Sequence, residues 1–461
     1  MGSHAAGPAV VGAVNRAGRW VDGVALDPIG DAMAPTASLP LLEKSRLRSL
    51  QALGVMCGFA AGAWLGTAEA PTKLVRVGIS PELISLLMVM GVFLARWSLP
   101  ALARGTSQVY ADAQRAPHLI VWAILAGCLW AVANTLTIFA IRDIGLSIAF
   151  PLWNLNSLLG IFWGFVFFHE LHEAGWRRWL GVLGGAVLMF VGAVLLALAS
   201  SMQAPQGHAL QGVLAALAAG VLWGTMYIPY RKAYLTGMNP LSFVAFFSVG
   251  ELGMMTALAL ESTGGLGPLW GQLAGARSVL FWLAAGGFIW VIGDLFQQYA
   301  AKYIGISRGI PLSNTNQLWG LLWGTLVFGE LHGRSASLYV QVIGGSLIMS
   351  AGAAAIAFSA APPEEHERWQ AAAIRESALY GTDIEYVRAG LEGRAGERGT
   401  GRTALDWAML AIATLVFAVL GAIARAPMVD LNAPAAVVLL GLIVVILVLC
   451  GTALWQTTKF S

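Results

Sequence analysis

Twelve apolar stretches, each close to the about 20 residues a helix needs to cross about 30 Å of hydrocarbon, decide what this chain can fold into. Their approximate cores are 51–70, 82–100, 119–141, 147–168, 178–199, 211–229, 241–261, 279–300, 309–328, 338–359, 407–426 and 434–455. At that length, helices are the structures that satisfy their own backbone hydrogen bonds in lipid, so an all-α integral membrane protein is expected. Composition agrees: 57% hydrophobic and 11% charged residues leave too little polar surface for soluble domains. Most of the 55 glycines then serve close helix packing, because lipid gives apolar helices no reason to prefer each other over acyl tails.

The chain also repeats itself. At an offset of 160 residues, Trp130, Gly145, Pro151, Asn154 and Asn156 meet Trp290, Gly305, Pro311, Asn314 and Asn316. Gly160, Trp163, Gly164, Phe168, Glu170, Leu171 and His172 meet Gly320, Trp323, Gly324, Phe328, Glu330, Leu331 and His332 at the same offset. At 158, Gly66, Thr67, Pro71 and Lys73 meet Gly224, Thr225, Pro229 and Arg231. A duplicated unit explains this better than shared hydrophobicity. Each unit holds five spans, and an odd number starts the second unit from the opposite side of the membrane. The expected core is therefore a 5+5 inverted-repeat, ten-helix transporter with a solute site near the midplane.

The endings Phe168-His169-Glu170-Leu171 and Phe328-Gly329-Glu330-Leu331, each followed by a Gly-Gly helix, resemble the drug/metabolite transporter superfamily. Within it, Gly66-Thr67 through Pro71 and Lys73, Trp130 with Asn134, and Ile144-Gly145-Leu146 are similar to the glucose/ribose porter branch of carbohydrate transporters. The resemblance covers roughly residues 50–360 and implies a permease for a sugar or related polar metabolite. The rival functions are a drug or metabolite exporter on the same scaffold and a non-transporting sensor or assembly protein. An enzyme is not expected: the sequence lacks a Walker A loop, a zinc-protease helix and a G-x-S-x-G elbow.

Polar groups at lipid depth are costly unless they face a cavity or each other, so they are the candidate site. Trp130 and Asn134 share one helical face, as do Trp290, Asp294, Gln297 and Gln298. An aromatic plane beside amide and carboxylate groups suits a sugar ring and its hydroxyl rim, and equally an aromatic or cationic drug. The substrate-binding candidates are Trp130, Asn134, Asn154, Asn156, Trp290, Asp294, Gln298, Asn314 and Asn316. Pro151 and Pro311 each precede an asparagine pair, and a missing backbone donor there favours a broken or widened turn. Either one asparagine of each pair binds solute while its neighbour bonds another helix, or the distortion presents both. Asp294, Glu251 and Glu69 are the ion-coupling candidates, protons being the ion considered. Glu170 and Glu330 are read as organising the turns at their helix ends. The His169-Glu170-Leu171-His172 string lacks zinc-helix spacing, so no metal or cofactor is expected.

Charge supplies orientation. Arg96, Arg104, Arg115, Arg177, Arg178, Arg231, Lys232, Lys302 and Arg308 follow even-numbered spans, and Lys44, Arg46 and Arg48 precede the first. The opposite loops hold Lys73, Arg76, Arg142, Arg277 and Arg334, so both termini are expected in the cytoplasm. Basic residues scattered between spans form no stripe for nucleic acid. Cys57, Cys128 and Cys450 fall in or beside spans and imply no disulfide framework. Arginine, alanine and glycine usage points to a bacterial cytoplasmic (inner) membrane.

The expected organisation is a flexible cytoplasmic segment at 1–50, repeats at 51–200 and 211–360, a polar cytoplasmic linker at 361–404, and a two-helix hairpin at 405–461. Expected partners are a small-molecule substrate, the lipid bilayer, protons and, as an option, a second copy in a homodimer. The topology is checked by cysteine labelling: a membrane-impermeant maleimide applied from outside should reach a cysteine at Gln206 and not one at Arg178. Reversed labelling overturns it.

Overall fold

The computed structural model describes residues 44–73, 79–144, 149, 152–168, 170–171, 175–201, 209–329, 332–333, 335–359, 363–394, 401–425 and 431–460. The segment before Lys44, together with Gly145, Pro151, His169, His172, Gln206 and Glu330, lies outside these residues, as does the side chain of Glu69. Among the described residues all regular structure is helical. The helices are α1 (Lys44–Lys73), α2 (Pro81–Ala103), α3 (Ser107–Arg115), α4 (His118–Ile144), α5 (Asn156–Phe168) and α6 (Trp176–Ser201). They continue with α7 (Ala209–Leu235), α8 (Pro240–Thr263), α9 (Leu266–Gly275), α10 (Leu280–Ile304), α11 (Ile306–Ser313) and α12 (Asn316–Leu322). The last are α13 (Ala336–Phe358), α14 (Pro363–Tyr380), α15 (Ile384–Leu391), α16 (Ala404–Ile423) and α17 (Ala433–Thr458). Ten of them, α1, α2, α4, α6, α7, α8, α10, α13, α16 and α17, are long and apolar enough to cross a membrane.

The fourth and ninth expected spans are not single rods. Among the described residues the fourth holds the 13-residue α5 behind a turn at Asn154 and Leu155. The ninth is split into α11, a turn at Asn314 and Thr315, α12, and a π-helical turn over Trp323–Val327. Pro311 supplies no amide to the preceding turn, and α11 stops within one turn of it. Gly305 separates α10 from α11 at φ 82°, a backbone state side chains resist. The buried Glu170 carboxylate fills the space beside it, accepting from the amides of Ile306 (3.3 Å) and Ser307 (3.0 Å). It thereby satisfies donors that a helix start otherwise leaves open.

Packing in the two halves follows one plan. A Cβ on Gly91 of α2 would lie 2.0 Å from the Ala284 carbonyl of α10, and one on Gly287 of α10 would lie 2.0 Å from the Met88 carbonyl of α2. At the α4 and α8 crossing, Gly127 and Gly250 face the Phe247 and Ile124 carbonyls at 2.1 Å in the same way. Only glycine permits these approaches, and they bring four helices into contact along their backbones.

One end of the core carries a cap. In α14, Trp369 is buried with its ring 4.0 Å from the Arg231 guanidinium. Arg231 reaches Glu170 at 3.0 Å and donates to the carbonyls of Ala301 and Lys302 at the end of α10. In α15, Tyr386 donates to Asp112 of α3 at 2.8 Å, while Ser242 of α8 and the amide of Asn239, which caps that helix, donate to the same carboxylate. Burial pushes the Asp112 carboxyl above the ordinary aspartate value, against the pull of those donors. The segment read as a polar linker is thus two helices docked on the core. Arg96, Arg231, Lys302 and Arg308, counted above as loop charges, lie within helices and are at most 4% exposed. Arg96, Arg231 and Arg308 answer to buried partners, and none of the four counts as a loop charge.

The two final helices also seat on the core. Asp406 of α16 accepts from the Thr106 amide (2.7 Å) and hydroxyl (2.6 Å), and Phe417 packs edge-on against Phe281 and Phe288 of α10. In α17, Leu439 packs with Ala70, Trp323 and Val327, and Cys450 Sγ lies 3.7 Å from Cys57 Sγ of α1. Oxidising a Cys128→Ser protein with copper phenanthroline should therefore join Cys57 to Cys450, detected as one cross-linked peptide by mass spectrometry. Free thiols at both positions after oxidation would remove α17 from this seat.

Candidate functional site

The crossing of α2, α4, α8 and α10 brings three ionisable side chains together at the centre of the helices. Arg96 of α2 donates through Nη2 to Asp294 Oδ2 of α10 at 2.8 Å. Its Nη1 lies 3.0 Å from Glu251 Oε2 of α8, and all three side chains are fully buried. The guanidinium also stands 4.2 Å from the centre of the Phe247 ring and 5.5 Å from that of Trp290. The two carboxylates are not equivalent. Asp294 accepts hydrogen bonds from Arg96 and, at 2.8 Å, from Gln298. Glu251 is held by charge and proximity, and neither of its oxygens has a hydrogen-bond donor.

The neighbouring polar groups extend from this centre. Tyr234 donates to Gln298 Oε1, and Gln297 donates to Ser313 at the end of α11 at 2.5 Å. One residue on, Asn314 Nδ2 donates to Asn156 Oδ1 (3.0 Å), Ser157 Oγ (2.5 Å) and the Asn154 carbonyl (3.4 Å). The two broken spans are thus bonded to each other at their breaks. Asn154 Nδ2 and Asn316 Oδ1 are buried without a hydrogen-bond partner. In each asparagine pair, then, one amide is bonded across the spans and the other has an open group. A cleft bordered by Asn154, Ser157, Asn314, Gln317, Met189 and Met349 reaches this cluster. Asp294 does not line it.

Trp130 and Trp290 meet each other, with ring centroids 5.0 Å apart. Asn134, the repeat counterpart of Asp294, donates to Ser85 Oγ of α2 at 2.6 Å. The Trp130 indole N–H is buried without an acceptor, as are those of Trp97 and Trp223. Unsatisfied buried donors cost about 1–3 kcal/mol each, and a hydroxyl-rich solute is the kind of ligand that relieves them. Of the predicted residues, Trp130, Trp290, Asp294, Glu251 and Gln298 share one centre, and Asn154, Asn156, Asn314 and Asn316 share a second, joined to the first through Gln297 and Ser313. Asn134 stands beside the first. Arg96 was missed as a site residue. Its signal was the largely apolar stretch from Trp97 to Ala103, which places it inside the span, where a counter-charge is one answer to the carboxylate at Asp294.

A family model described as "Sugar transport protein" matches residues 87–199 and 271–387. Among curated proteins, one named "Putative sugar uptake protein" from Listeria innocua is 25% identical over 234 residues, covering 49% of this chain and 76% of the relative. Its namesake in Listeria monocytogenes is 24% identical over the same shares, and one in Lactobacillus johnsonii is 39% identical over 82 residues, 17% of this chain and 28% of that protein. With ten long apolar helices around this core, the chain belongs to the sugar transport protein family, membrane transporters of the drug/metabolite transporter superfamily and not enzymes.

Proposed function

We propose that the chain takes up a sugar across a bacterial cytoplasmic membrane by alternating access, coupled to protons, with both termini inside. Two carboxylates sharing one guanidinium in the dry centre of the family core carry this reading. One guanidinium balances one carboxylate, so the cluster is neutral when the other carboxyl holds a proton. An isolated charge at this depth is costly enough that proton binding and release should be tied to rearrangement of the helices. Glu251, without a hydrogen-bond donor, is the group suited to hold the proton while Asp294 keeps Arg96.

The inverted repeat provides the rearrangement. Spans one to five, through α6, form one unit and spans six to ten, from α7 through α13, the other. The matched glycine crossings and the mutual bonding of the broken spans support a two-fold relation between them. The relatives' names supply the sugar. Trp130 and Trp290 offer apolar ring faces, and the open groups of Asn154, Asn316 and the Trp130 indole offer hydrogen-bond partners for hydroxyls. Trp130 and Trp290 are in contact, so a sugar ring must part them or stack on an outer face.

Reconstituted protein and a panel of radiolabelled sugars test this. Asp294→Asn and Glu251→Gln should each abolish accumulation driven by a pH gradient, whereas sugar exchange at uniform pH survives at a reduced rate. Accumulation that persists with unchanged pH dependence in both variants removes the carboxylates from coupling. Arg96→Met should cost about 3–5 kcal/mol of stability, the cost of stranding buried charge, and adding Asp294→Asn should recover part of it in detergent melting curves.

A further inference from the structure

We propose that Trp323 with Thr67 and Trp163 with Thr225 are the two halves of one alternating latch, in which an indole–threonine hydrogen bond forms at whichever end of the core is shut. The proposal rests on the inverted-repeat reading above. Trp323 Nε1 donates to Thr67 Oγ1 at 3.1 Å, both side chains being buried. This bond lies at the end of the core away from the cap, where Trp323 packs with Ala70, Val327 and Leu439.

The sequence repeat carries the bonding pair to the other end. Trp163 and Thr225 are the counterparts of Trp323 and Thr67, and each threonine follows a glycine. Those glycines admit the broken spans in the same way. A Cβ on Gly66 would lie 2.3 Å from the Asn316 carbonyl, and one on Gly224 would lie 3.3 Å from the Asn156 carbonyl. Yet the second bond is not made. The Trp163 indole N–H is buried without a partner and its ring stacks on Phe167 at 5.3 Å. The two threonines are otherwise alike, each donating back to its own helix, Thr67 to Ala63 and Thr225 to Val221. The helix carrying Trp163 ends at Phe168, which packs on Leu235 and Trp369 at the capped end.

Backbone geometry accounts for the difference. Trp323 opens the π turn, closed by the Phe328 amide donating to the Trp323 carbonyl at 3.1 Å, whereas Asn156–Phe168 is α-helical throughout. A π turn inserts one residue into the helical repeat and re-aims the side chains beside it. Moving this turn from one repeat to the other would break the Trp323 bond and give Trp163 its acceptor. One buried donor is satisfied as its counterpart is stranded, so the exchange is close to balanced. Trp163 and Trp323 are positioning residues on this account, and neither needs to touch the solute.

The test uses full-length protein in detergent, with Cys57, Cys128 and Cys450 replaced by serine and one reporter, Ala70→Cys, buried beneath the made bond. Trp323→Phe and Thr67→Val should each speed maleimide labelling of the reporter by about three- to tenfold, the factor a net hydrogen bond controls. Combined, they should do no more than either alone. Trp163→Phe should slow labelling, because it removes the acceptor-seeking donor that favours the other state. Unchanged labelling in both Thr67→Val and Trp323→Phe overturns the latch, and so does equal acceleration by Trp163→Phe, which would mark mere loosening of packing. Should Trp323→Phe fold poorly, the near-isosteric Thr67→Val decides. Wild-type uptake of sugars in liposomes is scored separately. Uptake with unresponsive labelling sinks the latch alone, whereas responsive labelling without uptake of any sugar sinks the sugar reading alone.

Discussion

Everything in this core depends on how closely four backbones approach. Lipid does not press apolar helices together, so their association comes from contact, and contact at Gly91, Gly127, Gly250 and Gly287 is backbone against carbonyl. Those crossings sit next to the chemistry. Gly250 precedes Glu251, Gly127 lies one turn before Trp130, and Gly91 and Gly287 lie between one and two turns from Arg96 and Asp294. A side chain at any of these glycines would force the helices apart and lengthen the ion contacts between them. The ion cluster is therefore a product of the crossings, and its attraction does not by itself hold the helices.

Much of this was legible in the sequence because a duplication writes structural constraints twice. Asn134 and Asp294 stood out as counterparts, and the prolines before the asparagine pairs marked where the spans break. Hydropathy gave the long helices but could not show that the ninth span is assembled from pieces, since broken and unbroken spans have the same composition. Arg96 was hidden for a related reason. An arginine near a span end reads as a headgroup anchor, and beyond the apolar stretch that follows it, the contacts with Asp294 and Glu251 are what show otherwise. Glu251, an ion-coupling candidate beside Asp294, shares the same guanidinium. Pairing across sequence separations of this size leaves no local trace.

The cap was the least legible part. Its helices are polar, and the residues that anchor it, Trp369 and Tyr386, are single side chains in a charged context. It also breaks the equivalence of the halves. α3 lies beneath α15, while α9, in the corresponding place of the second unit, exposes Leu266 and Trp270 at 75% and 73%. Those apolar surfaces suit the headgroup boundary of a bilayer, where tryptophan is common.

The last helix has a mechanical meaning. α17 is 26 residues long, about 39 Å as a rod. Near its start Leu439 rests on Trp323, and beyond its end the Phe460 carbonyl accepts from Asn239 at 2.7 Å and Tyr299 at 2.9 Å. A stiff strut touching both ends of a core converts displacement at one into thrust or slip at the other. Its flank is largely aliphatic and offers little friction to sliding, whereas its two footholds resist it. The segment after the ten-span core thus ties the two ends of the molecule together by a path that bypasses the site between them.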